Sequence, residues 1–211
     1  MRHRPDTSKR LDIDTAIKHL RAGRVVAYPT ETFLGLAVDA MKPDAVDLLR
    51  ALKGRGDKPI SVIVAVREMV STVTAALTPA GEALADAFWP GPLTLVVPAR
   101  ETVPLNLRAG GPTVGLRVSS HIVAHALAAG LDGPITSTSC NRAGGPEPTR
   151  PDQVDADVMR QIAGWVDGVA PGGRPSTIVD LSGEFPDVIR PGAISLERLR
   201  AVVPEIDQPR P

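Results

Sequence analysis

Cations and small hydroxyls stand at the ends of apolar runs throughout this chain. Tyr28-Pro29-Thr30-Glu31-Thr32 ends one such run, and Lys53-Gly54-Arg55 follows a helical stretch. Ser139-Cys140-Asn141 closes another element, Ser176-Thr177 opens one, and Arg190-Pro191-Gly192 ends the last. An Arg fork grips two oxygens of a phosphate or carboxylate, and a Lys ammonium acts as a mobile point charge. Flanking glycines let the backbone approach a ligand closely. There is no Ser-His-Asp order and no run of metal ligands. Neither the phosphate loop G-x-x-x-x-G-K-S/T nor the dinucleotide fingerprint G-x-G-x-x-G occurs. The pattern suits an anionic, nucleotide-like ligand held by fixed charge better than proton-shuttling chemistry.

Each signal has a plainer alternative. Lys53 and Arg55 also read as a solvated turn, since a surface basic pair is common. Arg117 lies within the apolar run Thr113 to Ser119, where a charge must be paired or line a cleft. A structural salt bridge is the alternative there. A period of two places Thr113 and Arg117 on one strand face and Val114, Leu116 and Val118 on the other. Thr30, Thr32, Ser137, Thr138 and Ser139 also read as strand-end hydroxyls that satisfy backbone groups. Asn141 also reads as a turn residue. His121 reads as the start of a helix and His125 as surface, with no further ligand to complete a metal site. Cys140 reads as packing.

The elements that must position these residues alternate between helix and strand. Helices are expected over Asp14 to Leu20, Asp44 to Leu52, Pro79 to Phe88, His121 to Ala129, Ala156 to Ile162 and Leu196 to Val203. Gly23 and Gly130 are the expected stops of the first and fourth. Thr78 and Ser195 are expected N-caps. Strands are expected over Arg24 to Tyr28, Ile60 to Val66, Leu93 to Val97, Thr113 to Ser119, Pro134 to Ser139, Thr177 to Leu181 and Val188-Ile189. Several strands follow one another without a helix between them, so the expectation is one α/β domain on a mixed sheet. Residues 1–10 are expected to be a flexible arm, 11–203 the single domain, and 204–211 a Pro-rich tail.

Composition bounds the function. In 211 residues, 24 Lys and Arg balance 24 Asp and Glu, which argues against a generic nucleic-acid binder but leaves room for a local basic cleft. The lone Cys140 excludes an internal disulfide and fits a reducing compartment. No apolar run reaches the roughly 20 residues of a membrane span, and Met1 to Arg10 lacks a secretory signal's apolar segment. The reading is cytoplasmic, with no membrane partner.

Taken in order, the blocks Y-P-T-E-T-x-x-G-L, K-x-R, W-P-G-P-L-T, T-V-G-L-R-V, S-T-S-x-N, S-T-I-V-D and R-P-G-A-I resemble those of the YrdC/TsaC family of threonylcarbamoyl-AMP synthases. The resemblance runs from about Leu11 to Val203. It implies a twisted, mostly open α/β sheet flanked by helices, with a deep, positively lined cavity. It implies a short, single-domain nucleotidyltransferase that makes threonylcarbamoyl-AMP and pyrophosphate from ATP, L-threonine and bicarbonate. A separate transferase complex then moves the threonylcarbamoyl group to adenosine 37 of tRNA. By the same resemblance Lys53 and Arg55 are the catalytic cations on the ATP phosphates, and Thr113, Ser139, Asn141 and Arg190 also contact ATP. Thr32, Arg117 and Ser176 hold threonine, with Arg117 on its carboxylate. Mg2+ is expected with ATP; its protein ligands are unknown, with Glu31 as the one named option.

The sequence departs from the family pattern at Leu34, where Tyr is frequent, and at Cys140, where Ala is usual. Ser119 and Ile122 stand where relatives carry prolines, and Ile63 where some carry His. Three other readings stand beside the synthase. One is a double-stranded RNA or tRNA binder. Another is a carbamoyl-adenylate domain like that of hydrogenase-maturation proteins, though no acyl-phosphatase or zinc-finger segment is attached. The third is a paralogue with altered substrate.

Overall fold

The structure, a computed structural model, describes residues 7–54, 56, 58–142 and 144–207. Helix α1 (Ile13–Arg21) starts where the Asp12 carboxylate accepts the Thr15 N–H at 2.7 Å, and it buries Ala16, Ile17 and Leu20 on one stripe. Helix α2 (Pro43–Lys53) starts with Pro at its first position and ends at Gly54, whose φ of 57° is the left-handed conformation that glycine adopts freely. Helix α3 (Pro79–Phe88) is capped by Thr78, as its sequence predicts. Helix α4 (Ile122–Leu131) is capped by His121, α5 (Ala156–Gln161) by Asp155, and α6 (Leu196–Arg200) by Ser195.

Gly130 was the expected stop of α4, but the helix continues through it to Leu131 and turns left-handed at Asp132. Gly130 serves packing instead. A Cβ there would lie 2.2 Å from Ile17 Cδ1, so its absence lets α4 close against α1.

The strands are β1 (Arg10–Leu11), β2 (Val26–Pro29), β3 (Leu34–Ala37), β4 (Ser61–Val64), β5 (Leu93–Pro98), β6 (Thr113–Val118), β7 (Ile135–Ser139), β8 (Gly164–Val166), β9 (Thr177–Asp180) and β10 (Asp187–Arg190). Among the described residues they form one mixed sheet in the order β1-β8-β2-β3-β7-β4-β6-β5-β9-β10. The pairs β1/β8, β2/β8, β4/β6 and β5/β9 are parallel, and the other neighbours are antiparallel.

Both ends of the expected domain extend further than the sequence implied. Thr7–Lys9 form a 3-10 turn, and Arg10 opens β1. The Lys9 ammonium fastens this end by donating to the carbonyls of Met159 and Ile162. At the other end Ile206 lies in the core, and the Asp207 carbonyl accepts the Val188 N–H at 2.8 Å. Residues 1–6 of the expected arm and 208–211 of the expected tail lie outside the described residues.

Strand alternation gives the sheet two unlike faces. Val62 and Val64, Leu93, Leu95 and Val97, and Val114, Leu116 and Val118 point into the larger apolar core with residues of α2, α3, α5 and α6. On the opposite face, Val26, Tyr28, Ala37, Ile63 and Ile135 meet Ala16, Ile17 and Leu20 of α1 and Ala124, Leu127 and Ala128 of α4. These two helices cover only part of that face. The rest of it carries the cavity.

Candidate functional site

The cavity has a volume of about 330 Å3, within the roughly 300–1,000 Å3 of small-ligand sites. Its floor comes from the alternate residues that the apolar core leaves outward: Ser61 of β4, Thr94 and Val96 of β5, Thr113, Gly115 and Arg117 of β6, and Ser137 and Ser139 of β7. The pairing of Thr113 with Arg117 on one strand face is as the period of two predicts. Gly115 lies at the centre. A Cβ there would sit 2.5 Å from Ser61 Oγ and 3.3 Å from Thr94 Cγ2, so only glycine leaves the floor open.

Two turns close the sides. After β2, the Thr30 N–H and hydroxyl both bond the Phe33 carbonyl, and the hydroxyls of Thr30 and Thr32 lie 3.1 Å apart. This tight turn aims Thr32 at the cavity, and the Thr32 carbonyl accepts the Gly172 N–H at 2.7 Å. Opposite, Arg190 donates from Nε and Nη2 to the Ser176 carbonyl, and from Nη2 to Ser176 Oγ at 2.8 Å. Ser176 Oγ lies 3.1 Å from Thr94 Oγ1. Gly192 makes this clasp fit, because a Cβ there would lie 2.4 Å from the Pro175 carbonyl oxygen.

Arg117 is 4% exposed. Its Nη1 lies 3.0 Å from Glu31 Oε1, and its Nη2 donates to Ser137 Oγ at 3.0 Å. The Glu31 contact is an ion pair without hydrogen-bond alignment, for Oε1 has no directed donor among the described residues. Arg117 Nε is likewise buried with no acceptor among the described residues. An unmet buried donor on a cavity-lining guanidinium is costly unless a ligand completes it. The salt bridge and the cleft position, alternatives in the sequence, coexist.

Of the nine residues expected at the site, the cavity wall gathers Thr32, Thr113, Arg117, Ser139, Ser176 and Arg190. Lys53 and Asn141 stand just behind it. Lys53 is buried and donates to the carbonyls of Ser139 and Asn141 and to Asn141 Oδ1, which also accepts the Ser139 hydroxyl at 2.7 Å. Lys53 is therefore not part of a solvated turn, the plainer alternative, but a buried cation that braces the Ser139–Asn141 turn. Arg55 lies outside the described residues.

Sequence reasoning passed over Lys58, Ser61, Thr94 and Glu147, all on the wall. Extending the period of two along β4 and β5 finds Ser61 and Thr94. Glu147 carries no such signal. It reaches the rim because the Leu34 N–H bonds the Pro148 carbonyl at 2.8 Å. Lys58, Arg117 and Arg190 against Glu147 leave the wall with a cationic excess. Cys140 is fully buried, and desolvation pushes its thiol up to about 12 despite the Lys53 ammonium. It is packing, as expected.

These features define an α/β protein whose sheet has one half-bare face, and that face carries a cavity lined by hydroxyls and cations. The family model Sua5/YciO/YrdC, described as telomere recombination, matches residues 18–192. The chain belongs to this family. It is 37% identical over 196 residues to the threonylcarbamoyl-AMP synthase of Pyrococcus abyssi, covering 92% of this chain and 58% of that one. It is 37% identical over 187 residues to the threonylcarbamoyl-AMP synthase of Bacillus subtilis, covering 87% and 54%. The chain thus spans just over half the length of these two relatives. The structure of P. abyssi Sua5 complexed with L-threonine superposes with a TM-score of 0.89 at 35% identity, covering 94% of this chain and 61% of that one. The twisted, mostly open mixed sheet expected from the sequence is the sheet observed.

Proposed function

We propose that this protein is an L-threonylcarbamoyladenylate synthase, a nucleotidyltransferase acting on L-threonine, bicarbonate and ATP. The observation that carries the reading is the convergence of Thr32, Arg117 and Ser176 with Thr113, Ser139 and Arg190 on one cavity. Relatives similar over most of this chain carry the synthase name, and one was solved with L-threonine.

Arg117 receives the threonine carboxylate where its guanidinium lines the cavity, on the wall it shares with the hydroxyls of Thr32 and Ser176. ATP lies toward Thr113, Ser139 and Arg190. Lys58 adds charge at the wall, and Lys53 acts through the Ser139–Asn141 turn that it braces. The amine of threonine adds to the carbon of bicarbonate, water leaves, and an N-carboxylate forms. One oxygen of that carboxylate attacks the α-phosphorus, and the bond to the leaving pyrophosphate breaks. Placing two anions side by side is the main barrier, and fixed cations with correct positioning address it.

Among the described residues no three His, Cys, Asp or Glu side chains come together. Mg2+ would enter with ATP and be held largely by phosphate oxygens and water. Glu31 is committed to Arg117 and Ser119. The product would pass to the transferase complex that modifies adenosine 37 of tRNA, in the cytoplasm. No helix among the described residues is long and apolar enough to cross a membrane.

The deciding experiment incubates the protein with ATP, bicarbonate and single amino acids and follows pyrophosphate and the adenylate. The expected result is release that requires all three substrates, with L-threonine preferred over serine. Release without an amino acid, or a preference for another one, overturns the assignment. RNA binding with a steep salt dependence and no pyrophosphate would favour an RNA-binding role instead.

A further inference from the structure

Ser119 lies one residue beyond β6 and is 3% exposed. Its hydroxyl does two things. It donates to Glu31 Oε2, and it accepts the His121 N–H at 3.2 Å. The second bond sets where α4 begins. The first ties the exit of β6 to the turn after β2. Glu31 is not part of the cavity wall, whereas Thr30 and Thr32 on either side of it are. Its other oxygen faces Arg117 Nη1 at 3.0 Å.

Ser119, Glu31 and Arg117 therefore form a line that ends on the cavity wall. A carboxylate held at one oxygen cannot swing about its last bond, so its second oxygen fixes one end of the guanidinium. The Ser137 hydroxyl fixes the other, at 3.0 Å from Nη2. With both ends set, the orientation of the guanidinium at the cavity wall is determined. Removing the Ser119 hydroxyl frees the Glu31 carboxylate, and the guanidinium loses its fixed reference. The Thr30–Thr32 turn loses its tie to β6 in the same step.

We propose that Ser119 is a positioning residue for an α-amino-acid subsite, setting Arg117 and Thr32 together through Glu31. The inference rests on the threonine reading above. Sites of this kind tolerate errors of only about 0.5 Å and 10–20° in their contacting groups. Ser119 touches no ligand in this arrangement, so its effect belongs to amino-acid affinity and not to ATP.

The test uses the full chain with Ser119→Ala, Ser119→Thr and Glu31→Gln. Calorimetric threonine titrations, steady-state pyrophosphate release and melting curves are compared with wild type. For Ser119→Ala the expected result is an about tenfold rise in the threonine Kd and KM, the scale of one hydrogen bond to a charged group. ATP KM and kcat should stay close to wild type, while melting falls modestly for the two hydrogen bonds lost. Ser119→Thr, which keeps the hydroxyl, should recover most of the threonine affinity. Should Ser119→Ala fail to fold, Glu31→Gln decides: its melting falls because Arg117 loses its counter-ion, and threonine affinity should fall further than ATP affinity.

Unchanged threonine affinity in Ser119→Ala overturns the proposal. So does an equal loss of threonine and ATP with early melting that Ser119→Thr leaves uncorrected, which marks a merely structural hydroxyl. The outcomes separate the two readings. Threonine binding that depends on Ser119 without any pyrophosphate release rejects the synthase assignment alone. Threonine-dependent release with affinity indifferent to Ser119 rejects the positioning role alone. A wild type that binds no amino acid rejects both.

Discussion

Arg117 and Glu31 meet where β6 passes the turn after β2, Nη1 3.0 Å from Oε1, with side chains 4% and 11% exposed. The pair joins a strand in the middle of the sheet to a turn on the cavity side. It makes Arg117 a counter-ion beside the carboxylate-binding role proposed for it, and the two roles can be separated by substitution.

Arg117→Met leaves the Glu31 carboxylate in a dry site without its cation, and we expect a loss of about 3–5 kcal/mol in denaturant unfolding. Adding Glu31→Gln removes the second charge. The double variant should regain most of the stability while threonine binding stays absent. Arg117→Lys should melt near wild type yet bind threonine poorly, because an ammonium lacks the planar fork. Threonine titrations beside the unfolding curves check all three. Wild-type affinity in Arg117→Lys counts against the carboxylate role.

Lys53→Met keeps most of the side-chain volume and removes the donors that hold Ser139 and Asn141. A hydrogen bond from a charged group contributes about 1.5–3 kcal/mol, so both folding stability and ATP affinity should drop. A solvated-turn lysine would change neither. Melting temperature and nucleotide titration decide between them.

Thr94→Val preserves shape and removes the hydroxyl that faces Ser176 Oγ at 3.1 Å. Arg190 continues to donate to Ser176 Oγ, so the clasp survives but the orientation of the serine hydroxyl is lost. The expected effect is a rise in threonine KM of about five- to tenfold, on the scale of about 1 kcal/mol per neutral hydrogen bond, with little change in melting. Unchanged kinetics would make Thr94 a packing residue.

Burial raises the Cys140 thiol to about 12 from its ordinary 9.0. The folded thiol stays protonated while an unfolded one ionises, so this contribution to stability is complete below pH 9 and fades as pH rises toward 12. Tyr28, fully buried with its hydroxyl donating to the Thr136 carbonyl, is shifted the same way by desolvation. Stability should therefore decline on the alkaline side, and Cys140→Ala should flatten part of the slope. At pH 8 the thiol should resist alkylation until urea unfolds the chain. Fast labelling of the folded protein would contradict its burial.

Much of this was legible where local chemistry and fold agree. Thr78 and Ser195 cap helices, and the alternation Val114, Leu116, Val118 against Thr113 and Arg117 marks a sheet face before any sheet is known. Three strands were not legible. Arg10–Leu11 and Gly164–Val166 are too short to show a period, and Leu34–Ala37 is apolar throughout with a glycine inside. Gly35 is there for contact, since a Cβ would lie 3.0 Å from the Tyr28 ring. The burial of Lys53 was not legible, because the carbonyls that receive its ammonium lie more than 80 residues on. Ser119 showed only as a departure from a motif. Its partner Glu31 is 88 residues earlier in the chain, a distance that local patterning cannot bridge.

The alternation of β4, β5 and β6 has a consequence for how such a chain can change. Ser61, Thr94, Thr113 and Arg117 line the cavity, while their immediate neighbours Val62, Leu95, Val114 and Leu116 hold the larger core. Residues adjacent in sequence thus answer to different demands, one chemical and one structural. A lineage can exchange one ligand for another at Ser61, Thr94 and Thr113 and leave the core side of each strand unchanged, whereas a change at Arg117 must be matched at Glu31. Gly115 limits that freedom, because any side chain there fills the space the exchange would use.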